Sequence, residues 1–153
     1  MTNFKPTSDY EVYRGNFSFC TGLSWEEVDR QIEYEKELGV IEALGKEENP
    51  TYLCTHQKTY PPGFFSRGLL MNKYHNVSVM HVYINKDPTS KTFGNHFDDV
   101  NVLIVQAIGR MKYGVNDTDI ITLEPGDGIL IPKYMMHEPM PFEPRVTFSF
   151  SWR

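Results

Sequence analysis

The chain has 153 residues, of which 40% are hydrophobic and 23% are charged, as is typical of a single globular domain. Its formal net charge of -5, without a basic stripe, argues against nucleic acid as a partner. No apolar run approaches the ~18 residues that would indicate a membrane span, and no signal-peptide segment is evident, so we expect a cytoplasmic protein without a membrane partner.

The first predicted elements are two short strand-like segments and a helix. Residues 10–13 and 16–19 have the composition of strands. Ser24 and Glu27 form a capping box, and Gly39 is a suitable stop, so a helix is predicted between them. Its apolar stripe consists of Trp25, Val28, Ile32 and Leu38. An acidic face, expected to be solvated, carries Glu33, Glu35 and Glu37.

The rest of the chain divides into a loop region and a β-rich region. Residues 46–76 contain several turn signals, including Asn49-Pro50, and such a long irregular stretch often covers a site. Short strands separated by turns are predicted at 77–84, 100–107, 110–115, 119–123, 128–132 and 145–152. This spacing predicts a mainly β fold, either a double-sheet jelly roll or a small barrel.

We expect one domain over residues 1–153, with the helix and loops in 1–76 and the β core in 77–153. The two cysteines, Cys20 and Cys54, are interpreted as reduced core thiols of a cytosolic protein.

The last predicted strand has two contrasting faces. Alternation places Val146, Phe148, Phe150 and Trp152 on one side. The other side carries Arg145, Thr147, Ser149 and Ser151. We therefore predict that the aromatic face packs on the core or the helix and that the polar face lines a cavity.

Two histidines and an aspartate carry the strongest chemical signal. His96 and Asp98 are two residues apart, so in a strand they project to the same side, and His137 follows a second turn. Two imidazoles and one carboxylate are the ligand set of non-haem Fe(II) oxygenases, which leaves other coordination positions for reactants. We predict a site for Fe(II), with other divalent transition metals binding in vitro. Three further side chains are candidates for orienting the ligands, namely Asn95, Gln106 and Tyr83.

These residues lie within two longer motifs. Gly126-Asp127, Pro132 and His137 have the spacing of the second cupin motif, with Tyr134 in place of its usual glycine. Upstream, residues 95–99 are followed by Gln106, Gly109-Arg110 and Lys112-Tyr113 in the order of a JmjC-type block. The chain thus resembles the cupin superfamily, and more narrowly the JmjC-like cupin oxygenases that use Fe(II) and 2-oxoglutarate.

The resemblance implies a fold, a ligand set and a cosubstrate. The fold is a double-stranded β-helix, the cupin jelly roll, with the N-terminal helix packed on it. No glutamate stands near Val102, which favours a three-ligand site of His96, Asp98 and His137. Arg145 and Thr147 are similar to the Arg-x-(Ser/Thr) pair that binds 2-oxoglutarate in related enzymes, and a planar guanidinium suits a carboxylate.

The usual basic anchor position of the JmjC-type block is occupied by Met111. Arg110 and Lys112 are one residue away from it and are expected to point elsewhere.

Three functions remain open at this point. The leading hypothesis is an Fe(II)- and 2-oxoglutarate-dependent oxygenase that hydroxylates a small molecule or a protein side chain. The second is a metal-dependent cupin dioxygenase or isomerase without 2-oxoglutarate, which Met111 favours. The third is a non-enzymatic ligand-binding cupin. Because cupins commonly pair through sheet edges or terminal elements, the resemblance also implies a homodimer.

Overall fold

The computed structural model describes residues 8–45, 50–54 and 79–152. In chain order its elements are β1 (Glu11–Tyr13), a 3-10 turn (Ser18–Cys20), α1 (Trp25–Leu38), β2 (Glu42–Leu44), β3 (Thr51–Cys54), β4 (Val79–Asn85), β5 (Asn101–Ile108), β6 (Met111–Val115), β7 (Asp119–Leu123), β8 (Gly128–Ile131), β9 (His137–Met140) and β10 (Arg145–Trp152).

The strands form two antiparallel sheets. The larger sheet has the order β1-β8-β5-β10-β4-β3-β2, and the smaller sheet has the order β7-β6-β9. Consecutive strands β5 and β6 belong to different sheets, so the chain crosses between the layers as in a jelly roll. The predicted mainly β jelly roll with one helix packed on it is confirmed.

Helix α1 follows the prediction closely. The Ser24 hydroxyl accepts a hydrogen bond from the Glu27 N–H, and Gly39 ends the helix with a left-handed φ of 69°. Val28 and Ile32 are buried in the core cluster on the outer face of the larger sheet, and Trp25 packs against it. Leu38 is 49% exposed, so the stripe stops one turn earlier than predicted.

The predicted solvation of the acidic helix face is wrong for Glu35. This side chain is fully buried and accepts a hydrogen bond from Gln31 at 2.8 Å. Strand β3, which the sequence did not predict, packs against α1 and covers this side of the helix. Burial raises the pKa of the Cys54 thiol on β3, and the neighbouring Glu35 adds to the effect.

Two apolar layers hold the sheets and the helix together. The outer layer joins α1 to the larger sheet and includes Val146, Phe148 and Phe150 of β10. The inner layer joins the two sheets and includes Ile104 from the larger sheet and Met111 from the smaller one. The two faces of β10 are therefore divided as predicted, with its aromatic side chains toward the helix.

Four parts of the strand prediction are wrong, and the first is that β2 was not predicted. Residues 18–20 of the strand-like segment 16–19 form a 3-10 turn, and residues 51–54 of the expected loop 46–76 form β3. Residues 46–49 and 55–78 lie outside the described part of the chain. Strand β9 was not predicted because Pro139 interrupts its pattern. Proline is tolerated there because β9 is an edge strand of the smaller sheet.

Both cysteines are buried, and no disulfide joins Cys20 to Cys54. Within the described ranges, no helix is long and apolar enough to cross a membrane.

Candidate functional site

A cavity between the two sheets brings the predicted site residues together. It has about 530 Å³ of atom-free space, including its solvent mouth. Its wall comes from β3, β4, β5 and β10 of the larger sheet, from β6 and β9 of the smaller sheet, and from the segment that precedes β5. The side chains that line it include His96, Asp98, His137, Tyr83, Arg145 and Thr147.

The two histidines are neighbours in an isolated antiparallel bridge. The His96 N–H donates to the His137 carbonyl at 2.9 Å, and the His137 N–H donates to the His96 carbonyl at 2.7 Å. Their ring centroids are 4.4 Å apart. The backbone therefore places His96, which lies between β4 and β5, directly beside the first residue of β9.

Each imidazole has one nitrogen engaged by the backbone. The Nδ1 atom of His96 lies 2.8 Å from the Gly94 carbonyl, and that of His137 lies 3.0 Å from the Met135 carbonyl. A carbonyl only accepts, so Nδ1 carries the proton and Nε2 is left with a lone pair in the neutral ring. This tautomer leaves Nε2 of each ring as the atom that can ligate a metal.

Asp98 completes the group. Its carboxylate oxygens lie 3.3 Å from Nε2 of His137 and 3.9 Å from Nε2 of His96. One ligand atom from each of the three residues lies within 4.8 Å of the others. The adjacent His137 ring lowers the pKa of the Asp98 carboxyl, although its partial burial opposes this effect. The three predicted ligands thus present two imidazole nitrogens and a carboxylate to one point.

Tyr134 explains one departure from the cupin motif. Its φ is 68°, in the left-handed region that favours glycine, and its N–H donates to the Asp98 carbonyl at 2.7 Å. The usual glycine of the motif would fit this turn without strain. Here the same turn carries an exposed tyrosine and supports the backbone of a predicted ligand.

Arg145 lies in the wall of the same cavity and is 2% exposed. Its Nε donates to Oδ1 of Asn85 at 2.5 Å, and its guanidinium carbon lies 5.8 Å from the ring centroid of Tyr83. Burial lowers the pKa of the guanidinium, yet arginine stays charged in proteins. Among the described residues, no carboxylate oxygen is within 4 Å of this cation.

Thr147 and Gln106 form a pair beside Arg145. The Thr147 hydroxyl donates to Oε1 of Gln106 at 2.7 Å, so its proton is already used. The Gln106 amide nitrogen donates to the Ile108 and Gly109 carbonyls, both at 2.8 Å. The Gln106 side chain on β5 therefore joins the β5–β6 turn to Thr147, and its hydrogen bonds are not made to the histidines.

Of the other two candidates for orienting the ligands, one lies in the cavity and one outside it. Tyr83 makes an edge contact with Phe93 at 5.9 Å, and Phe93 in turn lies 6.0 Å from the His96 ring. Burial raises the pKa of Tyr83 to about 12, so its hydroxyl is protonated at neutral pH. The exposed Asn95 side chain donates to Asp117 at 3.0 Å.

The wall of the cavity and the layer behind it also contain residues that the sequence did not single out. Tyr113, which is buried, lines the same cavity as Arg145 and Thr147. Asn85 contacts Arg145 directly, and Thr51 lines the wall beyond it. Tyr113 ends the JmjC-type block, so that motif offered a signal. Asn85 and Thr51 lie in no motif, and only the pairing of β3, β4 and β10 reveals them.

The basic residues near Met111 point away from the cavity, as expected. Arg110 pairs with Glu143 at the surface, and Lys112 lies over the Phe142 ring. Met111 itself is buried in the layer between the sheets. Arg145 is therefore the one basic side chain among the described residues that line the cavity.

Comparisons with known proteins establish the fold. No protein-family model matches the sequence, and no curated protein matches it. A crystal structure of the Escherichia coli ribosomal oxygenase YcfD is similar with a TM-score of 0.70 and 17% identity over 94% of this chain and 48% of that one. The YcfD complex with cobalt and 2-oxoglutarate has a TM-score of 0.60 and 20% identity over 72% of this chain and 33% of that one.

A third structure, the non-haem alpha-ketoglutarate-dependent epimerase SnoN from nogalamycin biosynthesis, has a TM-score of 0.59 and 12% identity over 94% of this chain and 78% of that one. The chain spans less than half the length of the two YcfD structures. At these identities the comparisons show the fold alone, a jelly roll that this chain shares with the YcfD and SnoN structures.

Proposed function

We propose that this chain is a cupin oxygenase that binds Fe(II) through His96, Asp98 and His137 and couples the turnover of 2-oxoglutarate to hydroxylation of a C–H bond. One observation carries the proposal. A single cavity contains both a facial set of metal-ligating atoms and a buried guanidinium that no described carboxylate neutralises.

The donor set fits a ferrous ion. Two neutral imidazoles and one carboxylate suit divalent iron, and three protein ligands leave coordination positions for reactants. The Gly94 and Met135 carbonyls fix the tautomers, so the protein has both Nε2 lone pairs directed before any ion binds. When bound, an iron ion with 2-oxoglutarate supplies oxygen activation coupled to oxidative decarboxylation.

The charge of the cavity wall suits a dicarboxylate. An isolated buried charge is costly, and Arg145 lacks an acidic partner among the described residues. A carboxylate of the cosubstrate would supply that partner, and the guanidinium fork suits two parallel hydrogen bonds to it. Arg145 thereby takes the role that a basic residue at the Met111 position would otherwise have.

The other wall residues have supporting roles in this proposal. Val102 and Ile104 are buried apolar residues of the wall and exclude water from the reacting groups. Phe93 lines the cavity but is 50% exposed, so it offers an apolar contact to a substrate at the mouth.

The YcfD structures are named as a ribosomal oxygenase and SnoN as an epimerase, so this fold accommodates different substrates. For this chain we retain a small molecule or a protein side chain as the substrate class.

We also propose a cytoplasmic location, which the buried cysteines without a disulfide support. The homodimer stays a prediction.

The test is a sequential titration under anaerobic conditions. Metal-free protein is titrated first with Fe(II) or Mn(II) and then with 2-oxoglutarate, and binding is followed by calorimetry. Aerobic samples with Fe(II) are assayed for succinate. We expect metal-dependent binding of 2-oxoglutarate and iron-dependent succinate formation.

The two other hypotheses predict different results. Metal binding without 2-oxoglutarate binding would overturn the proposal in favour of a metal-dependent cupin dioxygenase or isomerase. Absence of metal binding would leave the non-enzymatic ligand-binding cupin.

A further inference from the structure

We infer that Asn85 and Thr51 are positioning residues that hold the Arg145 guanidinium toward the cavity and thereby set the affinity for a dicarboxylate cosubstrate. The inference rests on the proposed function and extends it to two residues outside every motif. It is carried by a continuous chain of buried hydrogen bonds that ends at Arg145.

The three residues lie in one row across the larger sheet. Arg145 on β10 is the antiparallel partner of Asn85 on β4. Thr51 on β3 precedes Tyr52, which is the partner of Ile84, so Thr51 lies beside Asn85. All three are at most 2% exposed. The row therefore forms a buried polar strip whose one charged end is the guanidinium in the cavity wall.

The protons along the row have only one consistent arrangement. The Thr51 hydroxyl has one proton and donates it to the Lys91 carbonyl at 2.5 Å. Its oxygen must then accept from Nδ2 of Asn85, which lies 2.5 Å away. The amide oxygen of Asn85 consequently faces the Nε–H of Arg145. If the Asn85 amide were flipped, its NH2 group would face the Nε–H of Arg145, and two donors would be in contact.

This arrangement fixes the guanidinium without neutralising it. Asparagine accepts the Nε–H, which immobilises the side chain, but it contributes no negative charge. The terminal nitrogens accept no such constraint from Asn85 and face the cavity wall that also contains Tyr113, where a ligand carboxylate would bind them. An aspartate at position 85 would make the same hydrogen bond and would also pair with the cation, in competition with a ligand carboxylate.

The row also reaches the chain segment that carries the metal ligands. Its last acceptor, the Lys91 carbonyl, belongs to the segment between β4 and β5 that contains Phe93 and His96. Thr51 thus connects the cationic end of the cavity to the backbone that leads into the metal-binding end.

The test compares Thr51→Val, Thr51→Ser and Asn85→Asp with the wild type. Each protein is loaded with Mn(II) without oxygen, and the Kd values for Mn(II) and for 2-oxoglutarate are measured by calorimetry. Valine keeps the shape of threonine but removes the hydroxyl, so the hydrogen bonds to the Lys91 carbonyl and from Asn85 are both lost. The 2-oxoglutarate affinity should then fall about 3- to 10-fold. Serine retains the hydroxyl and should restore the affinity.

The aspartate variant tests the charge argument. Asn85→Asp should weaken 2-oxoglutarate binding by about 100-fold, since a buried carboxylate competes for the guanidinium. The Kd for Mn(II) should change less than about twofold in every variant, because no metal-ligating atom is altered. With Fe(II), the KM for 2-oxoglutarate should rise while kcat at saturation is retained.

A second ligand distinguishes a change in the position of Arg145 from a general defect of the cavity. 2-Oxobutyrate has the keto acid group but no distal carboxylate, so its Kd should be the same in all four proteins. Weaker binding of both ligands in Thr51→Val would indicate a general defect and would overturn the inference.

Two further outcomes are distinguishable. Unchanged 2-oxoglutarate affinity in Thr51→Val and Asn85→Asp would overturn the inference alone, while wild-type binding would still support the proposed function. Failure of the wild type to bind 2-oxoglutarate would overturn both. If Asn85→Asp does not fold, the valine and serine variants of Thr51 decide the matter.

Discussion

His96 and His137 hold each other in place through two reciprocal backbone hydrogen bonds of 2.9 and 2.7 Å. Each residue also directs Nδ1 to the carbonyl two positions earlier in the chain, that of Gly94 or Met135. Position and ring orientation are therefore both set by the backbone. The imidazole pair is organised by the fold itself, and binding an ion requires little further ordering.

The carboxylate of this group offers a matched test. Asp98→Asn should lower the affinity for Mn(II) or Fe(II) by more than about 100-fold, because loss even of outer hydrogen-bonding partners costs about 10- to 100-fold. Asp99→Asn makes the same charge change on an exposed neighbour and should leave the affinity unchanged. Competition with a chromogenic chelator measures both. Equal affinities in the two variants would exclude Asp98 as a ligand.

Arg145 and Arg110 form a second matched pair. Arg145→Gln should weaken 2-oxoglutarate binding by about 10- to 150-fold, since a charge-assisted hydrogen bond contributes about 1.5–3 kcal/mol. Its metal affinity should be retained. Arg110→Gln removes a surface cation paired with Glu143 and should bind the cosubstrate normally. Calorimetry with Mn(II)-loaded protein gives both affinities, and normal binding by Arg145→Gln would contradict the assignment.

Tyr83 should make the fold sensitive to alkali. Burial raises its pKa to about 12, whereas the unfolded chain titrates near the ordinary value of about 10. The unfolded state therefore loses its proton first, and a stabilisation of about 3 kcal/mol, fully present below pH ~10, is lost as the pH rises toward ~12. Tyr83→Phe has no hydroxyl at this position, so this pH-dependent loss of stability should be absent.

Urea unfolding between pH ~9 and ~12 measures the effect. The free energy of unfolding should fall about 2–3 kcal/mol further in the wild type than in Tyr83→Phe. If the free energies of unfolding of the two proteins change in parallel with pH, the pKa of Tyr83 is not raised in the folded state.

Gly109 is required by the turn that joins β5 to β6. Its φ is 71°, and a Cβ at this position would lie 2.1 Å from the Pro144 carbonyl oxygen. Gly109→Ala should therefore cost about 3 kcal/mol or more, from left-handed strain and steric overlap together. Gly39→Ala has a similar φ of 69° but meets no atom within 4 Å, so about 1 kcal/mol is expected.

Chemical denaturation of both glycine variants at neutral pH provides the comparison. If both variants lose the same free energy of unfolding, the steric overlap with Pro144 does not add to the cost of Gly109→Ala.

Local signals in the sequence were sufficient for α1 and for the two faces of β10. Ser24 and Gly39 act within one helical turn of the residues that they cap, and alternation along β10 depends only on backbone geometry. The strand β9 and the burial of Glu35 were not predictable in this way. Each depends on a distant segment, since β9 pairs with β6 and Glu35 is covered by β3.

The amino-acid sequence by itself determined which atoms are available to a metal, because the spacing of His96 and Asp98 and the motif before His137 are properties of neighbouring residues. Only the tertiary structure decided what surrounds Arg145. Thr51, Asn85 and Arg145 are far apart in the chain, and they meet because β3, β4 and β10 are hydrogen-bonded in one register. That register arises from the packing of whole sheets, which no local pattern encodes.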